Sequence, residues 1–144
     1  MAGRYLNESD HVIRQVPHRC QVRNAESGEF VGIAYTAFTL GEHEYLSVAW
    51  PEHFPGDGKA QNKKAISQLR VARPDKASTA YWIARISDVR AAMNGLKFRA
   101  ISEPNGDFTS HAALRFWPTD DNLLGKLAAL SIAEVILSKD IPKE

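Results

Sequence analysis

The apolar positions are densest near the carboxyl end of the chain, from Thr119 to Lys139. Pro118 ends the preceding segment, and Thr119 or Asp120 can cap a helix that starts there, because a side-chain oxygen then accepts an unpaired backbone N–H. Apolar residues cover much more than one narrow stripe of such a helix, which indicates that other structure covers it. The pattern therefore predicts one helix over residues 119–139, buried beneath a sheet as the central support of the core.

Shorter segments elsewhere alternate between apolar and polar residues or run apolar for a few positions, as β-strands do. The predicted strands are 11–16, 20–23, 30–35, 45–50, 78–85, 96–101 and 111–116. Two helices are predicted between them, a mid-chain basic helix over 59–73 and a short helix over 88–94. This order of elements favours an α+β fold, with a mostly antiparallel sheet packed on the buried carboxyl-terminal helix.

The composition is that of an ordinary soluble domain. The chain has 144 residues, 44% hydrophobic and 24% charged, which suits one domain over residues 1–144 with a flexible start at 1–10. The net charge of +1 provides no overall attraction to nucleic acid or to a membrane. Cys20 is the single cysteine, so no intramolecular disulfide forms. The chain starts without a signal-peptide pattern, and we expect a cytoplasmic protein with no membrane partner.

The strong motifs for catalysis and ligand binding are missing from the sequence. It contains no Gly-rich phosphate loop, no G-x-S-x-G or H-E-x-x-H motif and no paired cysteines. His43 and His53 both neighbour acids, but an extended strand separates them by about seven steps of ~3.3 Å, too far to share a metal ion. We therefore predict no metal site and no cofactor.

Positive charge clusters in and just after the predicted helix 59–73. Only Asp75 opposes six cations there: Lys59, Lys63, Lys64, Arg70, Arg73 and Lys76. Lys59, Lys63 and Arg70 fall on one helix face. Such a face can contact nucleic-acid phosphates or an acidic partner protein, and it is equally typical of a solvated helix.

A second candidate surface is the loop 51–58, which is rich in Pro and Gly, together with Trp50 and Phe54. Aromatic side chains beside such loops often anchor protein interfaces. The alternative, which the size of the chain favours, is that both rings cap the core, since large apolar side chains are needed inside.

His111 begins the last predicted strand, after a polar loop that contains Asp107. A histidine beside an acid at a loop edge can act as a general base. Ser47, on the outward side of strand 45–50, can serve as nucleophile or binding hydroxyl only where the fold brings it close to His111. The structural alternatives are a hydrogen bond that holds the loop for His111 and cross-strand pairing for Ser47.

Three segments resemble a group of small uncharacterised bacterial proteins: Thr36–Leu40, Tyr45–Trp50, and Glu103-Pro104 followed by His111-Ala112. That group has a similar Ala-Phe segment, a Leu-Ser-Val strand and a late Pro…His-Ala element before a final helix. The resemblance implies a bacterial, cytosolic, single-domain protein and draws attention to Ser47 and His111. It implies no activity.

Three functions are compatible with these patterns. The first is a non-catalytic protein-interaction module or accessory subunit of a cytosolic assembly, which the missing motifs and the two candidate surfaces favour. The second is nucleic-acid backbone binding through residues 59–76. The third is a small-ligand binder or enzyme with a cleft near His111 and Ser47. A separation of more than about 10 Å between those two side chains would exclude direct cooperation, which needs contact at about 2.6–3.2 Å.

Overall fold

The computed structural model describes residues 4–142, which form an α+β fold with one large antiparallel sheet. The large sheet has the strand order β1-β7-β8-β5-β2-β6-β9, and β3 and β4 form a separate hairpin. The strands in this range are β1 (Arg4–Tyr5), β2 (His11–Val16), β3 (Gln21–Arg23), β4 (Phe30–Ile33), β5 (Tyr45–Ala49), β6 (Ala80–Arg85), β7 (Arg99–Ser102), β8 (His111–Arg115) and β9 (Glu134–Leu137).

Three α-helices accompany the sheet in the described part of the chain. They are α1 (Gly58–Ala72), α2 (Ile86–Ala92) and α3 (Asp121–Ala128). Asp57 caps α1 by accepting a hydrogen bond from the backbone N–H of Ala60 at 2.8 Å. The predicted basic helix and the predicted short helix are thus confirmed to within a few residues, and so is the α+β class.

The two faces of the sheet have different covers. The inner face, which carries Val12, Val48 and Leu114, packs in the main core with α2, α3 and the 3-10 turn Tyr35–Phe38. The outer face carries the alternate positions of the same strands. Helix α1 covers only one half of it, above β2, β6 and the end of β5, through Ala65, Ile66 and Leu69.

The other half of the outer face, formed by β1, β7, β8 and most of β5, is the open half in the sense that the residues of α1 do not pack on it, although Ala113 at its centre is buried by its neighbours. The strand registers place Tyr5 beside Ile101, Ile101 beside Ala113, and Ala113 beside Ser47. Tyr5 remains 60% exposed, and Ile101 and Ser47 are half-buried. Tyr5 belongs to the segment 1–10 that we expected to be flexible, yet Arg4–Tyr5 pairs with β7; residues 1–3 lie outside the described range.

The predicted helix over residues 119–139 is wrong beyond Ala128. Helix α3 has eight residues and buries Leu124 and Leu127, after which the chain turns and β9 pairs with β6 at the edge of the sheet. An unbroken apolar run is compatible with a helix or with a strand, and here the β-branched residues after position 131 follow their strand preference. The central support of the core is therefore the sheet itself.

No helix within residues 4–142 is long and apolar enough to cross a bilayer.

Candidate functional site

Ser47 and His111 meet on the open half of the outer face. Strands β5 and β8 are antiparallel neighbours, with Ser47 opposite Ala113 and Ala49 opposite His111. Side chains at these alternate positions share one face, so Ser47 and His111 are diagonal neighbours across two strands. The Ser47 Oγ lies 2.8 Å from the His111 Nε2, although the two residues are 64 positions apart in sequence. The fold therefore brings together the two residues that the sequence could name only separately.

The other imidazole nitrogen identifies the tautomer of His111. Its Nδ1 lies 2.7 Å from the backbone carbonyl oxygen of Glu103, which is an acceptor only. Nδ1 therefore carries the hydrogen and donates it to that carbonyl. The Nε2 of the neutral ring is then an acceptor, and the Ser47 hydroxyl donates to it. This is the arrangement that a general base needs toward a nucleophilic hydroxyl.

Aromatic rings hold the imidazole in place. The rings of Phe108 and Tyr45 stand edge-on to it, with centroids at 5.1 and 6.0 Å. His111 is only 6% exposed, whereas Ser47 is half-buried. The histidine is thus enclosed on the loop side, and the serine lies toward the open half of the sheet.

An ion pair fixes the segment whose carbonyl binds His111. Arg115 binds both carboxylate oxygens of Glu103, from Nε at 2.7 Å and from Nη2 at 2.9 Å. These hydrogen bonds and the Arg115 charge hold the pKa of Glu103 below its usual value. The Arg115 guanidinium also stacks 4.8 Å from the Tyr45 ring. The acid of the site thus acts on His111 through its backbone, while its side chain pairs with arginine.

Asp107 does not occupy the position that we expected from sequence. It is exposed, and it lines a cavity of about 450 Å³ between α1 and the loop before β8. The cavity is also lined by Phe108, whose ring lies edge-on to the imidazole of His111. Among the described residues, the hydrogen bonds of the imidazole go to Ser47 and to the Glu103 carbonyl, so Glu103 and not Asp107 orients the ring.

Gln68 of α1 fastens this loop to the helix. Its amide nitrogen donates to the Thr109 hydroxyl at 2.8 Å, and its amide oxygen accepts from the backbone N–H and hydroxyl of Ser110 at 2.9 and 2.6 Å. Ser110 directly precedes His111, so α1 helps to position the histidine as well as to cover half of the sheet.

Arg14 lies directly behind Ser47, where β2 and β5 separate. The bridge between these strands is confined to Ile13 and Ala49. Beyond it, the guanidinium of Arg14 inserts, donating from Nη1 to the Ser47 carbonyl at 2.8 Å and from Nε to the Ala37 carbonyl at 3.0 Å. Both partners are neutral. Burial is the main cause that lowers the pKa of Arg14 to about 10, so it remains charged at neutral pH.

The cations of the basic helix divide into two groups. Lys59, Lys63, Lys64 and Arg73 are exposed. Arg70 is not available to a partner in the same way, because its Nε binds Asp75 at 2.9 Å and its Nη2 donates to Ser138 and to the Ile141 carbonyl. Arg70 thus fastens the carboxyl-terminal segment to α1.

The two aromatic residues of the second candidate surface point inward. Trp50 is 5% exposed and belongs to the main core, and Phe54 is half-buried against the residues under α1. The positions agree with the alternative that these rings cap the core.

Sequence reasoning missed three contributors to the site. The Glu103 carbonyl carries no side-chain signal, so no residue pattern can reveal it. Gln68 has no distinguishing signal, because it is one of several polar residues along the helix. Arg14 had a detectable signal, because it is a charge in the middle of a short apolar strand, where a buried cation is rare.

Comparisons of this chain with protein-family models, with curated proteins and with solved structures gave no match.

Proposed function

We propose that the protein is an enzyme that cleaves an ester or a related acyl compound, with Ser47 as nucleophile and His111 as general base. The observation that carries this proposal is the chain of two hydrogen bonds from the Ser47 hydroxyl through the imidazole to the Glu103 carbonyl. It places an imidazole nitrogen that can accept a proton in contact with a hydroxyl on the open half of the sheet.

In this reaction the Ser47 Oγ attacks the acyl carbon, and its proton passes to the His111 Nε2. The imidazolium then gives that proton to the leaving oxygen as the acyl–oxygen bond breaks, which leaves an acyl group on Ser47. A water molecule, deprotonated by the same Nε2, then attacks the acyl carbon. As the bond from that carbon to the Ser47 Oγ breaks, the imidazolium returns the proton to Oγ, which releases the acid and restores the hydroxyl. The Glu103 carbonyl keeps its hydrogen bond from Nδ1 throughout and stabilises the charged ring.

The same hydrogen bonds also suit a purely structural pair, because buried polar groups need partners. The structural and the catalytic role differ in the reactivity of the Ser47 Oγ. A structural serine has the low nucleophilicity of any alcohol, whereas a serine activated by histidine reacts with acyl and phosphonyl electrophiles.

The decisive experiment is labelling of the purified protein with a fluorophosphonate, followed by peptide mass spectrometry. We expect one adduct, on Ser47, whose formation is lost in Ser47→Ala and falls by about 100-fold or more in His111→Gln. The matched control is Ser87→Ala, a half-buried serine on α2, which should label like the wild type. A folded wild-type protein that gives no adduct on Ser47 refutes the proposal.

Binding of an acidic partner protein through α1 is a second candidate function. The observation that favours it is the exposure of Lys59, Lys63 and Lys64 in one stretch of the helix, where the described residues include no ion pair to neutralise them. This is the interaction-module hypothesis, but Trp50 and Arg70 no longer belong to the surface, because Trp50 is buried and Arg70 is paired with Asp75.

A pull-down from bacterial lysate at low salt tests this second function, with Lys63→Glu plus Lys64→Glu as the variant. We expect a stoichiometric acidic protein that the variant does not retain. Exposed Lys139→Glu serves as a control for charge alone. Retention of DNA or RNA instead of a protein would favour the nucleic-acid hypothesis, and equal retention by wild type and variant would exclude both uses of this surface.

A further inference from the structure

The cavity of about 450 Å³ between α1 and the loop before β8 has no part in the proposed reaction. Pockets that bind small organic molecules have volumes of about 300–1,000 Å³, so its size is within that range. Two segments of the chain, one on α1 and one in the loop, form its walls. The lining residues are Ser67, Gln68, Val71, Ala72, Asn105, Asp107 and Phe108.

Hydrogen bonds hold the loop wall against the helix wall. Asn105 and Phe108 exchange two backbone hydrogen bonds, of 3.1 and 2.9 Å, across a tight turn in which Gly106 has a φ of 56°. Gln68 of α1 then donates to the hydroxyl of Thr109 at 2.8 Å. Because both walls are fixed in this way, a ligand does not have to order either of them on binding, which favours affinity.

The helix wall exposes apolar surface at the entrance of the cavity. Val71 is 79% exposed, although valine is among the residues that are most often buried. Ala72 beside it is also exposed, and Phe108 of the loop wall is half-buried. An aromatic or aliphatic body between the two walls would remove this apolar surface from water, which is favourable.

Asp107 gives the cavity a preference for one sign of charge. It is the one charged residue among the described residues that line the cavity. It is exposed, and no ion pair within residues 4–142 includes it. A carboxylate in this position attracts an ammonium group and repels an anion.

We propose that this cavity binds a small primary amine with an aromatic or aliphatic body. The ammonium group pairs with Asp107, and the body lies against Val71 and Phe108. The inference is independent of the proposed function, because none of these three residues exchanges a proton with Ser47 or His111.

The test is NMR titration of the ¹⁵N-labelled protein with three probes that share one aromatic body: 2-phenylethylamine, 2-phenylethanol and 3-phenylpropionate. We expect saturable shifts of the Val71, Asn105 and Phe108 amide signals with the amine. The neutral alcohol should bind about threefold more weakly, since an exposed ion pair contributes little, and the anion should bind more weakly still.

Two variants and a control assign the binding to the cavity. Asp107→Asn should abolish the preference for the amine over the alcohol, whereas Asp140→Asn, the same change at an exposed carboxylate outside the lining, should keep it. Ala72→Trp places a large side chain at the entrance and should abolish the binding of all three probes.

Three outcomes overturn the inference. Shifts that increase linearly without saturation show that the cavity is not a binding site. Tighter binding of 3-phenylpropionate than of the amine assigns the surface to the lysines of α1 instead of Asp107. Equal binding of the amine and the alcohol by the wild type removes the pairing with Asp107. All three are read on wild-type protein, so an unstable variant does not leave the question open.

The two proposals fail separately. Amine binding without fluorophosphonate labelling of Ser47 leaves a binding site and removes the enzyme. Labelling of Ser47 without amine binding leaves the enzyme and removes the amine site.

Discussion

Two polar clusters on the outer face of the sheet contrast in how their hydrogen bonds are completed. In the Asp75 cluster, one carboxylate oxygen accepts from the Arg70 Nε, the Tyr81 hydroxyl and the Ser138 hydroxyl. In the pair of Ser47 and His111, no carboxylate takes part and one backbone carbonyl completes the chain. The first cluster combines a carboxylate with a guanidinium, and the second is built from a hydroxyl, an imidazole and a backbone carbonyl.

This difference separates a structural role from a chemical one. Burial by itself raises the pKa of Asp75, but hydrogen bonds from Ser138, Tyr81 and Arg70 outweigh burial and hold it below the usual value. The carboxylate therefore stays charged, accepts from the donors named above, and joins α1 to the carboxyl-terminal segment. Ser47 has an exchangeable proton, an acceptor for it and an open surface beside it. The Asp75 carboxylate is held by paired donors and stabilises the fold, whereas the hydrogen bond between Ser47 and His111 is suited to proton transfer.

The largest effect is expected from Asp75→Ala. The change leaves the Arg70 guanidinium, which is 11% exposed, without its counter-charge, so we expect a loss of about 3–5 kcal/mol in the free energy of unfolding. Urea denaturation measures it. Glu103→Ala breaks a more exposed ion pair, in which the arginine is 34% exposed, and should cost about 1 kcal/mol or less.

Equal losses in these two variants would remove the contrast between the clusters. The dependence of stability on pH below neutrality provides a second test of the Asp75 cluster. Because the folded-state pKa of Asp75 is depressed, its contribution is present above its ordinary pKa and is lost as the pH falls through the lower folded value. Asp75→Ala should therefore lose less stability than the wild type on acidification.

An intermediate effect is expected at alkaline pH from Tyr81. Burial is the first cause that raises the pKa of Tyr81 to about 12, from an ordinary value of 10.0. Its contribution is therefore complete below pH ~10 and declines as the pH rises toward ~12, by up to about 3 kcal/mol in total. Urea midpoints measured across this range should fall more steeply in the wild type than in Tyr81→Phe.

The matched control for this pH series is Tyr35→Phe, because Tyr35 is 40% exposed. It should keep the alkaline loss of the wild type. If Tyr81→Phe and the wild type lost stability in parallel, the Tyr81 hydroxyl would not contribute to the Asp75 cluster in the way the contrast requires.

The smallest effect, a gain, is expected from Gly125→Ala in α3. An added Cβ at Gly125 meets nothing within 4 Å, and the residue is helical, so alanine should raise the free energy of unfolding by about 0.5–1 kcal/mol. Thermal or urea denaturation measures the gain. The same substitution should leave Ser47 labelling unchanged. Variants of the site that lose stability can therefore be made in the Gly125→Ala protein. A destabilised Gly125→Ala would show that the helix end is packed differently.

Much of the fold could be predicted from local patterns. Strand β2 has the predicted bounds, and α1 begins and ends within one residue of the prediction, because an N-cap acid, helical spacing and a following Pro74 act within a few residues of one another. The carboxyl-terminal segment was mispredicted for the opposite reason. Its apolar run suits a helix and a strand alike, and the free edge of β6, more than 40 residues earlier in the chain, decided the outcome.

The sequence by itself determined which residues have chemistry to offer: a serine in the best strand and a histidine after a polar loop. Only the tertiary structure decided which of them meet. The register of β5 against β8 joins Ser47 to His111, and the separation of β2 from β5 admits Arg14 behind them. The physical reason is that register and strand order depend on contacts between distant segments, and a single-residue shift moves every side chain to the other face.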